Sequence, residues 1–294
     1  MPKKERPVFI YFDSAQAEAR IVAFRANIPK WKAQFEKARK DGIYDAHRAL
    51  ASEMFKVPYD QTPKQDFLDK NGLPDKDPKC DHASLRPTIR YIAKRCRHGL
   101  NYRMERFRLS EVTKLPYHEA SRAFALYHSI TPELRRWWEQ AEADFRRTRE
   151  VHNALGRRFK IIQRIDDEAL KSLIAYYPQS SLGDMIVRTW YQAQEDDRWP
   201  AYNQARVCLN VHDNLVALAM PKYAKTCLAL LKHYAEQPLM IADVYGHKPE
   251  PLIIPAETKM SYPVKAVFDK KGRLTFVEAP DGLHRWSHMK EIKV

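Results

Sequence analysis

The chain is poor in the features that tie a protein to a membrane or to an oxidising compartment. Four cysteines, at positions 80, 96, 208 and 227, are spread over 294 residues, and no two form a C-x-x-C pair. That spacing argues against a disulfide framework and against a zinc site, and it fits a reduced cytosolic environment. No stretch approaches the ~20 continuous apolar residues of a membrane helix, so no membrane partner is expected. The opening MPKKERPVFIYF carries charge but no long apolar h-region, so it does not read as a signal peptide. No internal repeat is evident.

What is present in quantity is positive charge. Lys and Arg number 51 against 37 Asp and Glu, a formal net charge of +14. A polyanionic partner explains this simply, because each cation placed on a phosphate releases a condensed counterion. A generally basic, solvated surface is the plainer alternative. The distribution favours the partner: Arg86 to Arg108 reads RPTIRYIAKRCRHGLNYRMERFR, with aromatics between the cations, which suits phosphates and stacked bases.

Apolar periodicity and turn signals outline the chain. PVFIYF, 7–12, reads as a short buried strand ending at Asp13, and AQAEARIVAFRA as a helix. Pro29 interrupts, and Trp31 to Phe55 is again helical. Residues 56–84, rich in Pro, Asp and Lys, read as a surface loop or insertion. Leu85 to Arg106 reads as one long basic helix with Pro87 in its first turn. Helices are predicted to continue to Asn153, with LPYHEA and SITPEL as starts. A hairpin is expected at GRRFKIIQRI, a helix from Asp166 to Tyr177, and a second from Ser180 to Asp196, separated by Pro178. In ARVCLNVHDNLVALAMP the apolar residues alternate on both sides of His212-Asp213-Asn214, which predicts a β-hairpin turning there. A helix over 221–237 follows, then a second hairpin turning at Lys271-Gly272. The sum is an α+β fold with a helical insertion between the pieces of a small antiparallel sheet.

Three constellations carry chemistry. Asp13 ends a strand; alone it reads as a turn or cap residue. Arg90, Lys94, His98 and Tyr102 are four residues apart, which on a helix sets two cations, an imidazole and an aromatic on one stripe. Such a stripe suits a triphosphate and a base, or else is a solvated basic face. His212-Asp213 sits at the predicted hairpin turn, where Asp and Asn are also favoured for backbone reasons.

Taken together these segments resemble motifs A, B and C of the family A DNA polymerases, the bacterial polymerase I type. Asp13, Gln16, Glu18 and Arg20 stand at the matching places of D-Y-S-Q-I-E-L-R, with Ser14 and Ala15 differing. Arg90, Lys94, Gly99 and Tyr102 match R-x3-K-x3-F/Y-G-x2-Y-G, and His212 and Asp213 match H-D-E. Three weaker matches fall in the same order: Asp45-Ala-His47-Arg with Ala51 and Phe55, then Leu155-Gly156-Arg157-Arg158, then Pro178-Gln179 with Asp184. The departures are Asn214 for Glu, His98 for Phe or Tyr, Arg103 for Gly, and Ala175 where a polar contact is usual.

The resemblance implies a polymerase palm with an antiparallel sheet plus a helical fingers insertion: palm over 1–28, fingers over 29–175, and palm with a C-terminal β tail over 176–294. It implies two Mg²⁺ ions held by Asp13 and Asp213, and a triphosphate bound by Arg90, Lys94 and His47. Lys94 would also protonate the pyrophosphate. Gln16, His98 and Tyr102 would line the nucleotide site. Glu18, packed on Tyr102, would block a ribose 2′-OH. Arg20, Lys171, Gln179 and His212 would contact the primer-template DNA, with dNTPs as substrates. Only twelve residues precede Asp13, so a thumb and an exonuclease domain are expected on a separate polypeptide, as in split phage polymerases. The corresponding location is the cytoplasm of a bacterial or phage-infected cell, at the nucleoid. Two other readings remain: a non-catalytic nucleic-acid-binding subunit with this fold, and an enzyme like the single-subunit RNA polymerases.

Overall fold

The structure is a computed structural model, and it describes residues 7–42, 44–68, 86–268, 274–278 and 284–291. The chain divides into two compact units, one made of Met1–Ala17, Gln179–Leu239 and Pro251–Val294, the other of Glu18–Pro178 and Met240–Glu250. The architecture is mixed helix and antiparallel sheet, as the α+β reading expects.

The first unit is built on a sheet whose middle strand is β1 (Val8–Ser14). Its alternation does what a half-covered strand requires: Val8, Ile10, Phe12 and Ser14 are buried, while Phe9, Tyr11 and Asp13 face the other side. In the second unit, helix α1 (Ala17–Arg25) follows, then α2 (Pro29–Asp41) and α3 (Ala46–Phe55). The sequence reads 31–55 as continuous helix, but Gly42 ends α2 at φ +64°, with its N–H on the Ala38 carbonyl. Asp45 then caps α3. Pro29 is the first residue of α2, not a gap, which is where proline costs no hydrogen bond.

Two-residue strands β2 (Phe67–Leu68) and β3 (Arg86–Pro87) pair, and residues 69–85, most of the anticipated insertion, lie outside the described residues. The long helix expected over 85–106 is shorter. α4 runs Ile89–Leu100, with Thr88 as its N-cap, so Pro87 precedes the helix and is not part of its first turn. The helix stops because Asn101 is held from both sides: Tyr127 Oη donates to its Oδ1 (2.7 Å) and Trp138 Nε1 to its carbonyl (3.0 Å). α5 (Arg106–Thr113), α6 (Tyr117–Ile130) and α7 (Pro132–Thr148) follow. A hairpin of β4 (Glu150–His152) and β5 (Arg158–Lys160) turns around Gly156, so its first arm lies in the stretch read as helix.

α8 (Asp167–Glu195) is one helix with Pro178 inside, where two were expected. An interior proline costs about 3 kcal/mol. Leu170, Leu173 and Ile174 are buried before it and Leu182, Met185 and Ile186 after it; at about 1.5–3 kcal/mol for each such side chain, burial outweighs the break.

Back in the first unit, β6 (Ala205–Val211) and β7 (Asn214–Ala219) form the predicted hairpin, and α9 (Pro221–Ala235) packs on β1 and β7. Short strands β8 (Leu239–Ile241) and β9 (Glu250–Leu252) precede β10 (Ala256–Phe268), β11 (Leu274–Glu278) and β12 (His284–Glu291). The sheet order is β11-β10-β1-β7-β6, antiparallel throughout, with β12 also on β10. The β10–β11 pairing agrees with the second hairpin, although its turn at 271–272 lies outside the described residues. The core of the helical unit centres on Trp31, Phe35, Leu50, Met54, Leu100, Tyr127 and Trp137. No helix among the described residues is long and apolar enough to cross a membrane.

Candidate active site

In the sheet unit, the two expected carboxylates come from neighbouring strands. Asp13 is in register with Asn214 across β1 and β7, one residue beyond the turn that holds Asp213. The Ser14 N–H donates to the Asp213 carbonyl at 3.0 Å, and the Ala15 N–H to the Pro255 carbonyl at 2.9 Å. These two bonds fasten the end of β1 to the turn on one side and to the lead-in of β10 on the other. The turn itself is tight: His212 sits at φ +54°, the left-handed region that a residue with a Cβ enters only at a cost.

The electrostatics at Asp13 are those of crowded anions. Burial holds its carboxyl pKa above the usual carboxylate range, and the negative charges of Asp213 and Glu257 push it further, against the Tyr11 hydroxyl and Lys259. Tyr11 Oη donates to Asp13 Oδ2 at 3.0 Å and is itself made a weaker acid by burial and by Asp13. Ser14 Oγ and Gln16 Oε1 are buried and have no hydrogen-bond partner. Two hard oxygen donors that repel each other, beside unpaired oxygens, suit a hard divalent cation. Among the described residues, no group of three or more His, Cys, Asp or Glu side chains could hold a metal ion. His212 is exposed at the turn, and Gln179 is exposed on α8.

In the helical unit, α3 and α4 carry the second group. Asp45 Oδ1 caps α3 by accepting from the N–H groups of His47 (2.8 Å) and Arg48 (3.2 Å), and its Oδ2 accepts from Arg90 Nε at 2.7 Å. One carboxylate therefore fixes both the start of the His47 helix and the guanidinium of Arg90. Arg90 Nη1 also donates to Asp66 Oδ1, and Lys94 Nζ to Asp66 Oδ2 at 3.2 Å. His47 is buried, and burial together with Arg97, His98, Arg90 and Lys94 drives its pKa well below the usual imidazole range. Its Nδ1 lacks a partner, and its ring centroid lies 6.0 Å from that of His98. His98 itself is exposed.

Tyr102 does not extend the Arg90-Lys94-His98 stripe. The helix has ended, and the chain doubles back so that the N–H groups of Tyr102 and Met104 both reach the Gly99 carbonyl. Gly99 leaves room for the Met104 side chain, whose flexible end would have to move to admit a Cβ there. Turned inward, Tyr102 donates its hydroxyl to Glu18 Oε2 at 2.6 Å. Arg20, expected on the primer-template, is 4% exposed; its Nη1 donates to the Phe35 carbonyl at 3.1 Å and its guanidinium lies over the Phe35 ring. That is a core position, reached because α1 turns this side of the helix inward, and it withdraws Arg20 from the surface. Lys171 is paired with Glu105 (3.0 Å) and Glu168 (3.7 Å). A cavity of about 770 Å³, lined by Arg103, Arg106, Phe107 and Trp138 among others, contains none of the side chains expected at a nucleotide.

Sequence reasoning quoted Asp45 only as part of the Asp45-Ala-His47-Arg match, without a role, and missed Tyr11 and Asp66. Asp45 had a local signal, an Asp two residues before His47 at a helix start. Asp66 had none, being 24 residues from Arg90 in a polar stretch.

The profile of DNA polymerase family A matches residues 78–244, more than half of the chain. The chain belongs to DNA polymerase family A. Its relatives include the thermostable DNA polymerase I of Thermus aquaticus, 24% identical over 263 residues, covering 86% of this chain and 26% of that protein. The thermostable DNA polymerase I of Thermus thermophilus is 26% identical over 239 residues, 78% of this chain and 24% of the relative. This family A chain thus spans about a quarter of the length of the curated relatives it matches. Its fold is that of the POL domain of Pol1 from M. smegmatis, solved in complex with DNA primer-template and dNTP: TM-score 0.61, 18% identity, 87% of this chain and 40% of that one. The fold of this family A chain matches the polymerase architecture anticipated from the motifs.

Proposed function

We propose that this chain supplies the palm and fingers of a DNA-directed DNA polymerase that adds dNTPs to a primer 3′-OH with two Mg²⁺ ions. The sheet unit is the palm and the helical unit the fingers. The observation that carries the reading is the Asp13–Asp213 pair, held at adjoining strand ends by the Ser14 bond to the Asp213 carbonyl. A module that only bound a phosphate backbone would have no use for two carboxylates there, since they repel it unless a cation intervenes.

Asp13 and Asp213 are the residues that would hold the ions. Bound Mg²⁺ supplies charge neutralisation at the attacking and leaving oxygens of the phosphoryl transfer. The protein's own groups do the rest. Tyr11 holds one lone pair of Asp13 and so orients the carboxylate. Arg90 and Lys94 bind the triphosphate as cations, and His47 binds it as a neutral hydrogen-bonding ring. Lys94 gives a proton to the departing pyrophosphate. Gln16 and His98 line the nucleotide site, and Glu18, fastened to Tyr102, stands against a ribose 2′-OH. Lys171, Gln179 and His212 meet the primer-template. A partner polypeptide that carries a thumb would grip the duplex and raise processivity.

The test is primer extension with Mg²⁺ and either dNTPs or NTPs, for this chain alone and together with the polypeptide encoded beside it. Extension with dNTPs is expected, stronger in the pair. No extension in either condition would leave the non-catalytic subunit as the better reading, and a preference for NTPs would move the chain to RNA synthesis.

A further inference from the structure

Arg90 and Lys94 are already occupied. The carboxylate of Asp66 bridges them, one oxygen on Arg90 Nη1 and the other on Lys94 Nζ, which is the arrangement that two oxygens of a phosphate group would take between a guanidinium and an ammonium. We infer that Asp66 is a built-in occupant of the triphosphate site, which an incoming nucleotide must displace. The inference rests on the proposed function of Arg90 and Lys94.

The occupant is held in place by backbone atoms. The Asp66 carbonyl accepts from the Thr88 N–H at 3.0 Å, and the Gln65 carbonyl from Thr88 Oγ1 at 2.7 Å. Thr88 is the N-cap of α4, so the segment is moored to the start of the helix whose next turns present Arg90 and Lys94. Phe67 adds a ring contact to Tyr91, with centroids 4.4 Å apart. Further back, Arg48 donates to the carbonyls of Thr62 (2.9 Å) and Tyr59 (2.7 Å). Only the Asp66 side chain needs to swing for the site to open.

Charge makes displacement the natural outcome. Arg90 and Lys94 face Asp45 and Asp66, two cations against two anions, so the group is neutral as it stands. A triphosphate placed beside an unmoved Asp66 would meet a like charge at contact distance. With Asp66 displaced, the two cations are left with one internal anion and gain a net attraction for phosphate. Asp45 stays on Arg90 Nε meanwhile, so the guanidinium keeps its orientation while its other edge is released. Asp45 is the holder and Asp66 the placeholder.

The experiment measures equilibrium binding of a Mg²⁺–dNTP to the full chain on a primer-template with a dideoxy-terminated primer. It compares the wild type with Asp66→Asn, Asp66→Ala, Lys94→Ala and Asp66→Asn/Lys94→Ala. Because the moorings use backbone atoms, the Asp66 variants are expected to fold, and thermal melts check this. Both should bind the dNTP about two- to thirtyfold more tightly, the scale set by losing two partly exposed ion pairs as competitors. Adding Lys94→Ala should reduce the gain to the part that comes from Arg90. If the Asp66 variants bind with unchanged or weaker affinity while Lys94→Ala weakens binding, the placeholder inference falls and the triphosphate site stands. If Lys94→Ala has no effect in either background, the reading of the site itself falls, and the inference with it.

Discussion

Replacing Tyr102 with Phe removes a single oxygen, and the structure says what that oxygen does. It donates at 2.6 Å to Glu18 Oε2 from a ring that is partly buried against the core of the helical unit. A hydrogen bond to a charged acceptor contributes about 1.5–3 kcal/mol, and the partly exposed Glu18 can recover some solvation, so the lower part of that range applies, about 1.5–2 kcal/mol. For a domain of this size, with roughly 2–4 °C per kcal/mol, the melting temperature should fall by about 3–8 °C. Glu18→Ala strands the buried hydroxyl and should cost a similar amount, while Glu18→Gln keeps an acceptor and should cost less. The assay is a double-mutant cycle by thermal and urea denaturation on wild type, Tyr102→Phe, Glu18→Ala and the double variant. The second substitution should be nearly free once the first is made. If instead the two effects add to within about 0.3–0.5 kcal/mol, the two side chains are not coupled and the reasoning is refuted. Under the proposed function, Glu18→Ala should also relax discrimination against ribonucleotides.

Three further outcomes are expected. Gly99→Ala gains up to about 1 kcal/mol in helix propensity and displaces only the flexible end of Met104, so urea denaturation should show a net change of less than about 1 kcal/mol, and a clear stabilisation in a Met104→Ala background; a loss of about 3 kcal/mol or more would mean that Met104 cannot move aside. Asp13 has a raised pKa in the fold, so the folded state keeps its proton where the unfolded state has lost it, and stability drains as pH rises from the ordinary aspartate range through the raised value. Asp13→Asn should abolish that slope and be more stable than wild type at pH 7 without divalent cations; melts that show the wild type gaining on the variant across this range would contradict the assignment. Arg97 is wholly buried, with Nε and Nη2 unpartnered, its pKa pushed down to about 10 by burial, and its guanidinium stacked on Trp31. Arg97→Met should therefore change stability by less than about 1 kcal/mol, whereas Arg97→Ala, which opens a cavity, should cost about 2–5 kcal/mol.

Much of this was legible where the chemistry is local. Alternation around His212-Asp213 announces its hairpin, because a two-faced strand needs that period and the turn needs those residues. The strand ending at Asp13 is read from its apolar run in the same way. What was not legible depends on partners distant in sequence. The end of α4 at Leu100 is decided by Tyr127 and Trp138, 26 and 37 residues further on. Pro178 would break an isolated helix and survives because both flanks are buried. Arg20 reads as a surface cation until the fold places Phe35 beneath it. Likewise Arg90 and Lys94 look free in the sequence, and only the fold brings Asp66 against them.

The central claim is that Asp13 and Asp213 are the metal-holding pair of a polymerase, and single-nucleotide incorporation with Mg²⁺ tests it directly. The comparison is wild type against Asp213→Asn, in whichever assembly extends the primer. Loss of several kcal/mol of transition-state stabilisation predicts a fall of about a thousandfold or more, with the fold intact. An Asp213→Asn protein that incorporates the nucleotide at the wild-type rate would contradict the account.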